Sequence, residues 1–310
     1  MKGNVTEKPV RIAYICLCHM DPLFVARACK TVAYKDDAVF IHVDRKVDRK
    51  PFEEACKALP HVHFVHDTMK NYWGGFNSLI ATMHTLQAAM DYGHFDRFVL
   101  LQGQDYPLVS NAQIHDFFAR HSETEFCRAL NISHSHHKGE YMKICGYYHL
   151  DYRIQNNLLE WFFSKLLNRF NLLGIPYRKR RFQNWDIYHG WAQFALTNAS
   201  VKHVLDVYHT NQSYNRYMQH RFPPDELYIP TILYNSPFRD KIMEQPIINR
   251  QGNPTILNLT YFEYPTTVTV FKEPEDYQSL RDTGCLFVRK VNSTSSRLLD
   301  EIDRHIQAEI

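Results

Sequence analysis

Short, mainly apolar runs and amphipathic segments alternate through the first 120 residues of the chain. Four apolar runs predict buried strands: RIAYICLCH (11–19), AVFIHVD (38–44), HVHFVH (61–66) and RFVLLQG (97–103). The segments between and after them predict helices at 22–32, 51–58, 76–93 and 112–121. Strands that alternate with helices predict an α/β fold with a Rossmann-like, mainly parallel sheet and helices on both of its faces.

Polar residues stand at the carboxyl ends of these predicted strands. They are His19, Asp44, His66 and Asp105. Ligands of parallel α/β sheets bind outside the carboxyl ends of the strands. The set therefore predicts a nucleotide or nucleotide-sugar site. A helix cap or a turn is the alternative role for each residue, since an isolated loop Asp commonly has that role.

The periodicity is weaker after about residue 122. Helices are predicted at 158–174, at 295–310 and, after a strand and a turn, within 191–210, and short strands are predicted at 266–271 and 284–291. No repeat or linker-like stretch divides the sequence. We therefore expect one domain over 1–310, with a nucleotide-sugar-binding half at 10–121 and an acceptor-binding and catalytic half at 122–310.

Composition and charge narrow the class of protein. Lys and Arg number 36 against 33 Asp and Glu, and a net charge of +3 gives no general basic field for nucleic acid or membrane. The first residues, MKGNVTEKPVR, lack the apolar core of a signal peptide, and no stretch has the length of a membrane span. The seven cysteines are scattered without a CxxC pair. We expect free thiols and a cytoplasmic location.

FPPDEL (222–227) places two carboxylates, Asp225 and Glu226, directly after a pair of prolines. Proline fixes φ and lacks an N–H, so we expect a rigid turn that leads into a buried apolar segment. A partly buried carboxylate held there would have a raised pKa and could act as a general base. A capping Asp followed by a surface Glu is the alternative, and physics alone favours it.

Two glycine-containing segments could approach a ligand. NYWGGFNSL (71–79) precedes a predicted helix, whose N-terminal N–H groups could bind ligand oxygens; a turn with Trp73 in the core is the alternative. LLQGQDYPL (100–108) ends a strand with one acid, Asp105, where many nucleotide-sugar transferases carry Asp-x-Asp. One carboxylate is a poor Mg²⁺ or Mn²⁺ site, so another group would have to neutralise a leaving diphosphate.

Three clusters of basic residues or histidines are candidates for chemistry. Arg289 and Lys290, in LFVRKV (286–291), could stabilise a diphosphate from a rigid strand, but they could equally be the protective cations of an edge strand. YRKRR (177–181) is read as a solvated loop, with a phosphate-bearing acceptor as the minority interpretation and nucleic acid less favoured still. HSHHK (134–138) lacks the spacing of a metal centre and is rejected as one.

Taken together, these segments resemble a bacterial member of the core-2/I-branching β-1,6-N-acetylglucosaminyltransferase and peptide O-xylosyltransferase family. Six blocks carry the resemblance in order over about residues 11–291: AYICLCH, FIHVDRK, YWGGFNSL, LLQGQDYPL, FPPDEL and LFVRKV. The resemblance implies a GT-A-like fold and an inverting, metal-independent transfer of a sugar from a UDP-sugar, with no cofactor.

The resemblance also implies roles for particular residues. The catalytic base is Glu226. The donor site is implied to contain Asp44, Trp73, Gly74, Asp105, Arg289 and Lys290. Asp225 and the loosely matching Gly190 and Trp191 are assigned to the acceptor side. The family's upstream diphosphate arginine has no counterpart near Thr266; that role is left open, with Arg250 and Arg281 as candidates for it.

The sequence thus predicts N-acetylglucosamine first and xylose second as the donor sugar. The predicted acceptor is a glycan or a lipid-linked glycan of a surface polysaccharide, reached at the inner face of the cell membrane by peripheral contact. A glycoside hydrolase, which needs two carboxylates about 5–10 Å apart, and a non-catalytic nucleotide-sugar or glycan-binding protein stay open as alternatives.

Overall fold

The computed structural model describes residues 10–151, 180–265 and 267–308, together with 158, 159, 162, 165, 166 and 169. The predicted helix at 158–174 lies mostly outside the described residues, as do residues 177–179 and Thr266. Within the described parts of the chain, every helix is too short or too polar to cross a lipid bilayer. All seven cysteines are buried free thiols, as predicted.

The helices and strands follow the predicted alternation in the first half of the chain. The strands are β1 (Ile12–Cys18), β2 (Ala38–Val43), β3 (Val62–Phe64), β4 (Arg97–Gln102), β5 (Asp105–Pro107), β6 (Ala129–Asn131), β7 (Tyr188–Gly190), β8 (Ala195–Thr197), β9 (Ile247–Ile248), β10 (Pro254–Thr255), β11 (Thr260–Tyr261) and β12 (Phe287–Arg289). The helices are α1 (Pro22–Thr31), α2 (Lys50–Cys56), α3 (Phe76–Tyr92), α4 (Asn111–Arg120), α5 (Lys138–Cys145), α6 (Asn198–Thr210), α7 (Gln212–Met218), α8 (Pro224–Tyr234), α9 (Asp276–Arg281) and α10 (Ser296–Ala308).

A five-stranded sheet in the order β3-β2-β1-β4-β8 forms the centre of the fold. Its first four strands are parallel, and β8 joins β4 in the antiparallel direction. The mixed α/β architecture and mainly parallel sheet confirm the predicted fold class and are consistent with a GT-A-like fold.

Strand β1 is buried on both sides, which explains its continuous apolar sequence. Tyr14 and Cys16 pack with α1 and α2, whereas Ala13 and Ile15 pack with α3 and α6 on the other face. Full burial of an aliphatic side chain such as that of Ile15 contributes about 1.5–3 kcal/mol. Helices therefore cover both faces of the sheet, and its strand ends are left for a ligand.

A second, three-stranded sheet in the order β11-β12-β5 adjoins the carboxyl end of β4. Strand β12 is its middle strand, so the interpretation of Arg289 and Lys290 as edge-strand cations is wrong. The sequence TVTVF (267–271) was expected to form a strand and does not. Instead, the backbone N–H of Phe271 bonds to the carbonyl of Lys290, and the N–H of Lys290 bonds to the carbonyl of Thr269.

The FPPDEL segment forms the start of a helix rather than the expected turn. Pro224 is the first residue of α8, and Asp225 and Glu226 lie in its first turn. Proline is suited to this position because the N–H it lacks would have no partner inside the helix. Two carboxylates are also favoured there, since the helix N-terminus carries partial positive charge.

Candidate active site

A cleft of about 410 Å³ lies where the carboxyl ends of β1 and β4 meet the start of α8 and the end of β12. Of the residues predicted for a ligand site, seven line it: His19, Asp44, Trp73, Gly74, Asp225, Arg289 and Lys290. His66, Glu226, Gly190 and Trp191 do not line it. Two of the four strand-end residues, His19 and Asp44, thus line the cleft.

Asp44 lies at the end of β2 and is buried in the cleft wall. Its Oδ1 accepts a hydrogen bond from the backbone N–H of Lys46, and its Oδ2 lies 3.3 Å from Lys46 Nζ. Asp44 therefore stabilises a turn and lines the cleft as well. Lys46 lies 4.2 Å from the ring centroid of Tyr72, and it adds a cation that the sequence analysis did not single out.

Trp73 and Gly74 form an exposed corner of the cleft. The Trp73 side chain is 81% exposed and meets the ring of Phe222 edge-on at 5.0 Å, so it is not a core residue. Gly74 has φ of 75°, and a Cβ there would lie 2.4 Å from the Phe222 ring. Only glycine fits this corner.

The N-terminus of α3 is occupied by the protein itself. Asp151 Oδ1 accepts the backbone N–H of Asn77 at 2.7 Å. The expectation that the first turn of this helix offers free N–H groups to a ligand is therefore wrong at this position. The glycine pair has a steric role instead, because a Cβ on Gly75 would lie 2.6 Å from the same Asp151 oxygen.

Asp105 lies beneath the cleft and supports Arg289. The two residues face each other across the β5–β12 pair, with Asp105 Oδ1 2.7 Å from Arg289 Nη1. Asp105 Oδ2 accepts the backbone N–H of Gln102. Burial raises the pKa of Asp105, and the charge of Arg289 opposes that rise. Because its oxygens have these partners, Asp105 positions the cation rather than forming a wall of the cleft.

The positive charge of Lys290 is less compensated by neighbouring groups than that of Arg289. Burial lowers its pKa, and so does the neighbouring charge of Arg289. Among the described residues, its Nζ has no hydrogen-bond or ion-pair partner, and none of their His, Cys, Asp and Glu side chains form a group of three or more that could hold a metal ion. At the end of β12, a ligand anion in the cleft would therefore meet one fixed cation, Arg289, and one unpaired cation, Lys290, with Lys46 elsewhere in the cleft wall.

The two carboxylates of α8 point to different partners. Asp225 lines the cleft and accepts a hydrogen bond from Ser78 Oγ at 3.1 Å. Burial, and then the charge of Glu226, raises the pKa of Asp225 to about 7. Glu226 Oε2 instead lies 3.0 Å from His189 Nε2, and its side chain is 21% exposed. His189 precedes the predicted Gly190-Trp191 pair and was missed, because its contact depends on long-range packing.

Gly190 and Trp191 lie outside the cleft. A Cβ on Gly190 would lie 2.6 Å from the carbonyl oxygen of Arg128, which explains the glycine sterically. Trp191 packs edge-on against Phe262 at 4.7 Å. Of the arginines expected to replace the family's diphosphate arginine, Arg250 pairs with Glu263 and Asp276, and neither it nor Arg281 lines the cleft.

Comparison with known proteins decides the family. The model of the Core-2/I-Branching enzyme family matches residues 12–254. The chain belongs to this family. It is 22% identical over 319 residues to Xylosyltransferase 2 of Canis lupus familiaris, an alignment that covers 97% of this chain and 34% of the relative. It is 25% identical over 126 residues to Xylosyltransferase 1 of Homo sapiens, which covers 39% of this chain and 13% of that protein.

The matched relatives are much longer than this member of the family. The chain spans about a third of the length of the dog Xylosyltransferase 2. The same holds for Xylosyltransferase 2 of Mus musculus, which is 22% identical over 96% of this chain and 34% of the relative. Family membership and these relatives together support a glycosyltransferase.

Proposed function

We propose that this Core-2/I-branching family member transfers a sugar from a UDP-sugar to a hydroxyl of a glycan or glycolipid acceptor. The observation that carries the proposal is one cleft lined both by Arg289 and Lys290 and by Asp225 of the first turn of α8, next to Glu226. N-acetylglucosamine, added through a β-1,6 linkage, and xylose are the candidate donor sugars. The names of the relatives favour testing xylose alongside the first candidate.

In the proposed reaction, the two cations take up the negative charge of the departing UDP. Charge on the diphosphate grows as the bond to the anomeric carbon breaks, so cations already in place stabilise the transition state more than the bound donor. Arg289 is fixed by Asp105, and Lys290 offers an unpaired ammonium group in the same cleft. The mechanism as proposed needs no divalent metal.

The proton of the acceptor hydroxyl goes to Glu226. The hydroxyl oxygen forms a bond to the anomeric carbon from the side opposite UDP, and the configuration at that carbon is inverted. General-base assistance of this kind contributes typically 10²–10⁴-fold, on the order of 3–5 kcal/mol. The proposed setting is surface polysaccharide synthesis at the inner face of a cell membrane.

The direct test is release of UDP from a panel of UDP-sugars, measured with glycan acceptors in excess EDTA. We expect UDP-N-acetylglucosamine or UDP-xylose to be turned over at the same rate with and without EDTA. Loss of turnover that Mn²⁺ restores would contradict the metal-free mechanism. UDP binding by calorimetry without turnover would indicate a non-catalytic binding protein, and cleavage of glycosides without nucleotide would indicate a hydrolase.

A further inference from the structure

His189 belongs to a cluster of charged and polar side chains that the family resemblance did not assign. Its Nε2 lies 3.0 Å from Glu226 Oε2, and its Nδ1 lies 3.6 Å from Glu140 Oε2. Lys143 Nζ lies 3.1 Å from Nε2 and 3.3 Å from Nδ1, and it also pairs with Glu140. The imidazole is therefore held between one carboxylate of α8 and an ion pair of α5.

We propose that His189 is a positioning residue that orients Glu226 for proton transfer. This inference rests on the proposed function, in which Glu226 is the base. The His189 Nε2–H donates to Oε2 of Glu226, and this leaves Oε1 to receive the proton of the acceptor hydroxyl. Among the described residues, Oε1 has no hydrogen-bond donor.

Glu226 and Lys143 together select the ring tautomer. The Glu226 carboxylate can only accept, so Nε2, 3.0 Å from it, carries the ring proton, and Nδ1 is left to accept from Lys143 although the ammonium group lies near both ring nitrogens. An ammonium group can only donate hydrogen bonds, so the ring nitrogen that it binds must accept. When Nδ1 accepts from Lys143, the ring proton is on Nε2, where it meets Glu226. The carboxylate of Glu140 compensates the charge of Lys143.

The backbone elements that carry His189 and Glu226 are tied together. The N–H of Tyr188 in β7 donates to Thr231 Oγ1 of α8 at 3.0 Å. The rings of Tyr188 and Tyr234, from the same two elements, stack with centroids 4.1 Å apart. Contacts between rigid elements hold a catalytic group more accurately than contacts between loops.

A purely structural role is the competing explanation, and the chain provides a matched control. His115 and Asp37 form another buried histidine–carboxylate pair, with Nε2 and Oδ2 2.8 Å apart, and neither residue lines the cleft. A histidine that only supports the fold should behave like His115. Its loss should lower stability and leave the rate per folded molecule unchanged.

The test compares His189→Phe, His189→Gln and His115→Phe by kcat, KM for the donor and melting temperature. We expect His189→Phe to lower kcat by about 10–100-fold with little change in KM. The base acts only in the transition state, so the loss of its orientation slows the reaction without weakening the binding of the donor. His189→Gln keeps an N–H donor and should recover at least part of this loss. His115→Phe should lower the melting temperature without lowering kcat.

A double-mutant cycle with Glu226→Gln gives the deciding result. If His189 acts through Glu226, His189→Phe causes no further loss of kcat in the Glu226→Gln background. Multiplicative losses, or a wild-type kcat for His189→Phe, would overturn the inference and leave the proposed function intact. A wild-type protein that turns over no UDP-sugar would contradict the proposed function, and the inference with it. Should His189→Phe not fold, Lys143→Met tests the same link with the same cycle.

Discussion

Two pairs of like charges that are neighbours in sequence lie in or beside the cleft, and the pairs are built alike. Arg289 and Lys290 follow each other at the end of β12, and Asp225 and Glu226 follow each other at the start of α8. In each pair, one member has a close partner within the fold: Arg289 has Asp105, and Glu226 has His189. In the other member, burial shifts the pKa in the direction that favours the neutral form: the pKa of Lys290 is lowered and that of Asp225 is raised.

The pairs differ in how they meet the cleft. Both cations line it, whereas of the two carboxylates only Asp225 does. The difference teaches that side-by-side charges need not share a role, because successive helical residues point about 100° apart. A shifted pKa in a cleft is typical of functional groups, and Asp225 has one although Glu226 is the proposed base. Mutagenesis must therefore test the two carboxylates separately.

The largest expected effect is a loss of kcat that distinguishes the role of Glu226 from that of Asp225. Glu226→Gln removes the proposed base and should lower kcat by about 10³-fold, close to 4 kcal/mol of transition-state stabilisation, with UDP affinity preserved. Asp225→Asn should lower kcat less. Steady-state kinetics combined with calorimetric UDP binding provides the measurement. A greater loss of kcat in Asp225→Asn would transfer the role of base to Asp225.

The next effect concerns the fixed cation. Arg289→Met leaves the buried Asp105 carboxylate without its ion-pair partner, and breaking such a pair costs about 3 kcal/mol or more. We expect a large fall in the free energy of unfolding, measured by urea titration. The double variant Arg289→Met with Asp105→Leu is the control and should recover part of the stability. No recovery would mean that Asp105 is not the cause.

Lys290→Met tests the other cation of the same pair. Removal of one charge-assisted contact to diphosphate should weaken UDP binding by about 2 kcal/mol, roughly 30-fold, while stability stays the same or rises. Calorimetry with UDP, and with uridine as a control that lacks phosphate, measures the effect. An equal loss of affinity for uridine would place Lys290 away from the diphosphate.

The smallest effect is a pH dependence at Asp225, whose pKa rises from 3.8 to about 7. Between these values, the folded protein binds a proton that the unfolded chain does not, so the free energy of unfolding falls as the pH rises. Asn removes this titration. The shift alone corresponds to about 4 kcal/mol, and solvent access to this partly exposed residue reduces the effect. Asp225→Asn should therefore gain about 1–2 kcal/mol over wild type from pH 4 to pH 7 and no more above that. Urea titrations across pH would contradict this if the difference were constant.

The sequence predicted the first half of the fold well because β1, β2 and β4 are almost fully buried. Continuous apolar runs marked β1, β2 and β4 to within two residues, and two of the four strand-end residues line the cleft. It failed at 267–271, where alternating Thr and Val residues favour a strand. There the chain bonds to the backbone next to β12 in a way that local sequence does not specify.

The site was predictable only where a motif marked it. Arg289, Asp225 and Asp44 stand out within distinctive segments. Lys46 and Ser78 lie in two of the same segments but have no pattern of their own that marks them, and His189 lies outside all six. The proline pair before Asp225 indicated a turn because proline is disfavoured in the interior of a helix. The same property makes proline a good first residue of a helix, and sequence alone did not distinguish the two outcomes.

The contact between Asp105 and Arg289 joins residues 184 positions apart. On a ribosome, the polypeptide would present Asp105 long before its counterion emerged, so the cationic wall at the end of β12 could form only late in synthesis. A truncated product that stops before β12 would contain the sequence of all five central strands and lack Arg289 and Lys290 together. The proposed nucleotide site would thus be complete only in molecules whose synthesis has passed residue 290.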